Sequence, residues 1–251
     1  MAHKPTERVL SILNLLSASP NLSLTDISTQ LHIPKSTLSP ILAEMVTQNY
    51  LYLSTDTNLY SIGVSSVYLA DAYNQTNQII PFLKNTMKKI TNNVGEICQL
   101  GKLDGDQIFY ILKEEPNTDT PIKIISHVGK KLPAYCTALG KALLSQLSEQ
   151  EFNLLYPSSK KLLQIAPKTI TEIAQLKDNL NSIKQSGIAS EYEEVNEHLC
   201  CFAVPLNIND HDKVALSITT PIFRMTKEKE EQIKLNLLNA KEKIENYART
   251  I

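Results

Sequence analysis

The side chains that could carry out covalent or metal chemistry in this chain are four cysteines and five histidines. Cys136 and His127 could form a thiol–imidazole pair, the arrangement that activates a cysteine nucleophile. His198, Cys200 and Cys201 could bind a metal ion, although their spacing is poor for two ligands on one ion. The chain contains no C-x-x-C pair, P-loop, G-x-G-x-x-G or G-x-S-x-G motif. We therefore expect no catalytic residues, no bound metal and no cofactor.

The composition is typical of a globular protein. The 251 residues are 42% hydrophobic and 20% charged, which suits one large domain or two ordinary ones. No apolar run approaches the roughly 18 residues that a membrane helix needs, and the first residues lack the pattern of a signal peptide. We therefore expect a cytoplasmic protein with reduced cysteines. The net charge of −1 does not by itself indicate nucleic-acid binding.

Residues 34–48 form a stretch whose outer face could bind another macromolecule. Apolar residues recur there at helical spacing, which predicts an amphipathic helix with one buried face; these are Leu38, Ile41, Leu42, Met45 and Val46. Pro34 suits the first turn of this helix, because it lacks an N–H that would have no partner there. The opposite face carries small hydroxyl groups, one lysine and Pro40.

Four further elements surround this helix. The pattern predicts helices over 6–18, with Thr6 as N-cap, and over 23–31. Two short β-rich runs, 50–53 and 59–62, follow on either side of a turn-rich loop. This order is that of a winged helix-turn-helix, in which the third helix lies in the major groove of DNA.

The rest of the chain alternates between helical and β-rich patterns. Strands joined by hairpins, with helices between them, indicate an α+β domain with a mostly antiparallel sheet. The predicted helices are 64–77, 79–92, 137–147, 171–186 and 226–248, and the predicted strands are 96–103, 107–112, 123–128, 200–208 and 214–219.

Essentially the whole chain from Thr6 onward resembles the isocitrate-lyase-regulator (IclR) family of bacterial transcriptional regulators. Residues 22–38 resemble the helix-turn-helix core of the family, and residues 132–144 resemble a segment of its effector domain. Residues 191–205, followed by 214–221, resemble its C-terminal signature. The resemblance implies an N-terminal domain that binds operator DNA as a homodimer or homotetramer. It also implies a GAF-like C-terminal domain that binds a small metabolite, often a carboxylic acid.

On this basis we expect a winged helix-turn-helix domain over 1–63, a linker helix over 64–77 and a GAF-like effector-binding domain over 78–251. We expect the third helix to bind DNA through Lys35, Ser36, Thr37, Ser39, Pro40 and Ala43. Pro40 stands where many family members carry arginine or tyrosine. Two interpretations remain open: a tolerated kink near the start of the helix, or a kink that reshapes the base contacts.

The predicted DNA-binding domain has unusually few cations. Residues 1–63 contain three lysine or arginine residues against four acidic ones, and the wing tip at 54–58 contains no cation. Because cations normally supply much of the affinity for phosphates, we expect weak binding by an isolated domain and a modest salt dependence. Binding would then rely on the avidity of a dimer or tetramer. A metabolite sensor that has lost DNA binding is the alternative.

The resemblance also implies a set of ligand-binding residues. Serine and threonine two positions apart on a strand place both hydroxyls on one side, and the first N–H groups of a helix favour a carboxylate. No arginine is among these positions, so we expect a small hydroxy- or keto-acid rather than a polyanion. The positions are Ile124, Leu132, Ala138, Leu139, Glu191, Cys201, Ser217 and Thr219.

Overall fold

The computed structural model describes residues 3–117, 126–209 and 213–251 of the chain. The chain divides into two compact units, Met1–Gln78 and Ile79–Ile251. Within the described ranges, no helix combines the length and the apolar character that a membrane span requires.

The first unit has the predicted order of elements. A capping box closes the start of the second helix: the Ser23 hydroxyl accepts the Asp26 N–H, and the Asp26 carboxylate accepts the Ser23 N–H. The expectation that Thr6 caps the first helix is wrong, because Pro5, with its fixed φ angle, lies in a first turn that begins two residues earlier. The elements are α1 (Lys4–Ala18), α2 (Leu24–Leu31), α3 (Lys35–Thr47), β1 (Leu51–Leu53), β2 (Tyr60–Ile62) and α4 (Ser65–Thr76).

One apolar core holds α1, α2, α3 and β1 together. The turn between α2 and α3 passes through His32, whose left-handed φ of 54° ends α2. The Ser28 hydroxyl donates to the Ile33 carbonyl oxygen at 2.7 Å and fixes this turn. The buried face of α3 therefore packs against the other helices, and its opposite face is exposed to solvent. The core residues are Ile12, Leu16, Ile27, Leu38, Leu42, Met45 and Leu51.

The second unit is a six-stranded antiparallel sheet between two groups of helices. The strand order is β5-β4-β3-β8-β7-β6. The helices are α5 (Ile79–Val94), α6 (Ala138–Leu144), α7 (Glu149–Leu155), α8 (Ile173–Ser186) and α9 (Lys227–Ala248). The strands are β3 (Ile97–Asp104), β4 (Gln107–Glu114), β5 (Lys131–Pro133), β6 (Ala189–Tyr192), β7 (Leu199–Leu206) and β8 (Val214–Pro221).

The two faces of this sheet have different surroundings. Leu100, Phe202, Leu216 and Ile218 share one core with α5 and α9. Because side chains alternate along a strand, the neighbours of these residues face α6 and α8 on the other side, where a second core lies. The sheet is therefore buried on both faces, and a polar group on the α6 side has to find a partner within the protein.

One predicted strand is wrong in its described part, and several short elements were missed. Of the strand predicted over 123–128, residues 123–125 lie outside the described residues, and 126–128 form no strand. The strand that pairs with β4 is instead β5, three residues further on. Sequence patterns also missed α7 and β6, since both are too short for a clear periodicity.

Candidate functional site

The predicted DNA-binding residues lie together at the start and along the outer face of α3. Thr37 is half-buried, and the other five are exposed. Pro34 is the N-cap of α3 rather than its first helical residue. The helix continues through Pro40. Because proline has no N–H, Pro40 cannot donate a hydrogen bond to the Ser36 carbonyl oxygen.

The wing beside α3 is a short antiparallel hairpin of β1 and β2. Its turn is held by a backbone hydrogen bond of 2.9 Å from the Asn58 N–H to the Ser54 carbonyl oxygen. Asn58 has a φ of 56°, a left-handed conformation that asparagine tolerates well. The tip residues from 55 to 58 are exposed hydroxyl, amide and carboxylate groups.

The second candidate site is a small cavity of about 30 Å³ between α6 and the sheet face that carries Glu191, Ser217 and Thr219. All seven predicted ligand-binding residues that the structure describes line it: Leu132, Ala138, Leu139, Glu191, Cys201, Ser217 and Thr219. The eighth, Ile124, lies outside the described residues. None of the described residues that line the cavity is an arginine, lysine or histidine.

Strand register explains why these polar side chains meet. Thr219 pairs with Cys201, which in turn pairs with Glu191, so the three residues form one row across the sheet. Gln99 and Ser217 pair in the next row. All five lie on the face opposite the apolar residues that pack on α5 and α9.

Sequence reasoning missed seven residues of this cavity. Gln99 could have been found, since it alternates with the apolar residues of β3, but only if the pairing of β3 with β8 had been known. The loop after β6 supplies Val195 and Asn196, and the pattern of this loop carries no such signal. The missed residues are Gln99, Tyr110, Ser126, Thr137, Val195, Asn196 and Leu199.

Hydrogen bonds link the buried polar groups on the sheet. The Gln99 amide nitrogen donates to Ser126 Oγ at 2.5 Å, and Thr219 Oγ1 donates to the Gln99 amide oxygen at 3.3 Å. The Cys201 thiol lies 3.2 Å from Thr219 Oγ1. Partner groups thus offset much of the desolvation of this wall.

Glu191 is the cavity residue with the most perturbed chemistry. It is 3% exposed, and burial raises the pKa of its carboxyl from 4.5 to about 7. Hydrogen bonds from the Cys201 thiol and from the Glu194 N–H, which lies 3.0 Å from Oε2, oppose this rise. Near neutral pH the carboxyl therefore exists in both its neutral and its charged form.

The start of α6 forms a second wall of the cavity. Thr137 caps the helix, because its hydroxyl oxygen accepts the Gly140 N–H at 3.0 Å. A Cβ atom on Gly140 would stand 2.0 Å from the Ala134 carbonyl oxygen, so only glycine allows this close approach. The N–H groups of Ala138 and Leu139 lie in the first turn, where a helix offers them no internal acceptor.

A buried ion pair joins α6 to the loop that follows β6. Lys141 Nζ lies 2.5 Å from Glu194 Oε1, and the two side chains are 1% and 10% exposed. Burial raises the pKa of the Glu194 carboxyl, while Lys141 opposes the rise. The Thr169 hydroxyl donates to the Glu194 carbonyl oxygen at 2.6 Å. The pair thereby fixes the loop whose next two residues line the cavity.

The cysteine and histidine residues do not form the groupings considered from the sequence. The Cys136 thiol donates to the Pro133 carbonyl oxygen at 3.6 Å, whereas His127 Nδ1 lies 3.0 Å from the Val128 carbonyl oxygen. Burial raises the pKa of the Cys136 thiol to about 12, which disfavours the nucleophilic thiolate.

The suggested metal ligands are also separated. Cys200 and Cys201 are successive residues of β7 and face opposite sides of the sheet, and the side chain of His198 is 75% exposed. Among the described residues, no group of three or more histidine, cysteine, aspartate or glutamate side chains could hold a metal ion.

Comparison with protein families gives two matches that together span most of the chain. Residues 5–54 match the model described as IclR helix-turn-helix domain. Residues 71–246 match the model described as Bacterial transcriptional regulator IclR C-terminal.

Known proteins agree with these matches. The HTH-type transcriptional regulator XynR of Escherichia coli is 29% identical over 221 residues, covering 87% of this chain and 86% of its own length. The crystal structure of a regulator from Alicyclobacillus acidocaldarius has a TM-score of 0.85 at 21% identity, covering 99% of this chain and all of the other. An IclR homolog from Microbacterium hydrocarbonoxydans, complexed with 4-hydroxybenzoate, has a TM-score of 0.79 at 19% identity, covering 94% of this chain and 97% of the other.

Proposed function

The chain belongs to the IclR family of bacterial transcriptional regulators, and from this premise we propose that it controls a metabolic operon in response to a small organic acid. The observation that carries the proposal is the cavity beside α6, which is lined by seven of the residues that the family resemblance implied. We assign DNA binding to residues 1–63, the linker to 64–77 and effector binding to 78–251.

The chemistry of the cavity favours a monocarboxylic acid that also carries a hydroxyl or keto group. The N–H groups at the start of α6 suit the carboxylate. Glu191, Ser217 and Thr219 offer hydrogen bonds to the remaining polar group of the ligand, and Leu132 supplies an apolar wall. The homolog bound to 4-hydroxybenzoate supports this class, because that ligand joins a carboxylate to a hydroxyl group.

Three further properties complete the proposal. We assign the chain a homodimeric or homotetrameric state, because a domain with so few cations needs more than one copy to hold DNA firmly. We place it in the cytoplasm with its operator. We assign it no enzyme activity, which the protonated thiol of Cys136 supports.

Fluorescence-anisotropy binding to DNA from the upstream region of its own gene tests the regulator function. The full chain is titrated at two salt concentrations, with unrelated DNA as the control. We expect tighter binding to the upstream DNA. If a folded, oligomeric protein binds neither DNA at low salt, the chain is a metabolite sensor without DNA binding.

Thermal unfolding tests the effector class. We expect 4-hydroxybenzoate or a sugar-derived hydroxy-acid such as gluconate to raise the melting temperature of the full chain, and the dicarboxylate succinate to have no effect. Thr219→Val removes a hydroxyl of the cavity and should abolish the increase. Ser182→Ala, at an exposed position of α8, is the matched control and should retain it. The effector class is wrong if no hydroxy- or keto-acid stabilises the wild-type protein.

A further inference from the structure

The outer face of α3 lacks the long hydrogen-bonding side chains that usually identify bases. Lys35 is its one cation, and it stands at the first position of the helix. Gln48 follows the last helical residue. The exposed residues in between are Ser36, Ser39, Pro40, Ala43, Glu44 and Thr47.

Four of these residues form a line along the helix. Ser36, Pro40, Ala43 and Thr47 are separated by four, three and four positions, which places them on one face. The Thr47 hydroxyl is already used, because it donates to the Ala43 carbonyl oxygen at 3.0 Å. The middle of the line therefore presents a pyrrolidine ring and a methyl group.

Each base favours a different long side-chain partner in the major groove. Guanine is read by arginine or lysine, adenine by asparagine or glutamine, and cytosine by an acidic acceptor. The middle of α3 has no side chain of the first two kinds. Its acidic residue, Glu44, accepts a hydrogen bond of 2.8 Å from the Gln48 side-chain amide, so one oxygen of the carboxylate is already engaged.

Thymine is the base that small apolar groups recognise, through its C5-methyl group. Pro40 and Ala43 are both exposed and apolar. They are three residues apart, or about 4.5 Å along the helix axis, and successive base pairs are about 3.4 Å apart. Where the helix axis follows the groove, this spacing brings the two residues close to methyl groups on neighbouring base pairs.

We propose that α3 identifies its DNA site by contact of Pro40 and Ala43 with thymine methyl groups, so that each half-site carries thymines on neighbouring base pairs. This inference rests on the proposed function, in which α3 enters the major groove. Pro40 is then a specificity-determining residue: its ring supplies the apolar surface, and it excludes the long polar side chain that would read guanine or adenine.

The test uses the full chain and a pool of random duplex DNA. Sequences that the protein enriches are synthesised again with uracil in place of single thymines, which removes the methyl group and keeps the base pairing. Loss of one buried methyl should weaken binding about fourfold. Replacement of thymines outside the half-sites is the control and should change nothing.

Variants of the helix connect the effect to the two residues. Ala43→Gly removes the methyl group of the side chain. The variant should therefore bind DNA equally well with uracil or thymine at one position of each half-site, while uracil at the other thymine positions should still weaken binding. Pro40→Ala reduces the contact at the neighbouring position. Ala70→Gly, at an exposed interior position of α4, controls for the general loss of helix stability and should leave the thymine preference unchanged.

The outcomes separate this inference from the proposed function. If no sequence is enriched, the DNA-binding function itself fails, and the inference fails with it. If a sequence is enriched but binds equally well with uracil, the protein is a sequence-specific regulator and the inference is wrong. Enrichment of half-sites without thymine would overturn it in the same way.

Discussion

The two candidate sites differ in how strongly the fold constrains them. The surface of α3 is exposed, and water can satisfy its hydroxyl groups. The cavity in the second unit is lined by Glu191, Gln99 and Thr219, each less than 5% exposed. A buried polar group without a partner is costly, so the hydrogen bonds around the cavity reveal its organisation. The exposed surface has no such requirement, and its specificity has to be inferred from which side chains are missing.

The largest expected effect of this difference concerns the buried pair of Lys141 and Glu194. Lys141→Met leaves a buried carboxylate without its cation, and we expect a loss of about 3–5 kcal/mol in the free energy of unfolding. Lys131→Met is the matched control. Lys131 also lies 2.5 Å from its partner Asp104, but both side chains are about half exposed, and such surface pairs contribute about 0–1 kcal/mol. Urea unfolding of both variants at neutral pH measures the difference.

A double variant tests whether the uncompensated charge is the cause. Adding Glu194→Leu to Lys141→Met removes the unpaired buried carboxylate. The double variant should therefore recover a large part of the lost free energy of unfolding. If Lys141→Met is no more damaging than Lys131→Met, burial does not determine the contribution of this pair, and the contrast between the two sites loses its energetic basis.

The next effect is a dependence of stability on pH that comes from Glu191. Its pKa is about 7 in the folded chain against 4.5 as the ordinary value, with burial as the main cause. Between these two values the folded state holds the proton more tightly, so the free energy of unfolding falls as pH rises. The loss is absent below pH 4.5 and complete above pH 7, and it amounts to roughly 3 kcal/mol.

Glu191→Gln isolates this contribution from other buried carboxyls, because glutamine keeps the shape of the side chain and does not titrate. We expect the variant to be more stable than wild type at pH 8 and similar to it at pH 4.5, as measured by chemical unfolding at a series of pH values. Lys141, Glu194, Cys201 and Tyr110 surround the carboxyl and remain in both proteins. An unchanged pH profile would mean that Glu191 is charged throughout and that water reaches the cavity freely.

The two sites also differ in how far the sequence predicts them. The spacing of apolar residues predicts both ends of α3 to within one residue, because the apolar face of an amphipathic helix is encoded by neighbouring residues in the sequence. The row of Glu191, Cys201 and Thr219 depends on the pairing of three strands, which is not encoded locally. Only the resemblance to a family brought these residues together before the structure did. The partner of Lys141 lies 53 residues away and had no sequence signal.

The smallest expected effect concerns the electrostatics of the exposed site. Lys35 is exposed at the start of α3, where it suits a phosphate contact. Each phosphate that a cation neutralises contributes about −0.9 to the slope of log affinity against log salt. Lys35→Ala should therefore make the slope shallower by about one unit per protomer and weaken binding equally at all sequences.

Lys84→Ala, at an exposed position of α5, is the control for this slope and should leave it unchanged. Because residues 1–63 contain only three lysine or arginine residues, we also expect the wild-type slope to stay shallow, since few phosphates can be neutralised. A steep slope, like that of a highly basic repressor, would require cations from outside this region. Residues beyond α3 would then contribute to DNA binding. The contrast between an exposed site with few binding groups and a cavity whose polar groups are held by hydrogen bonds would no longer hold.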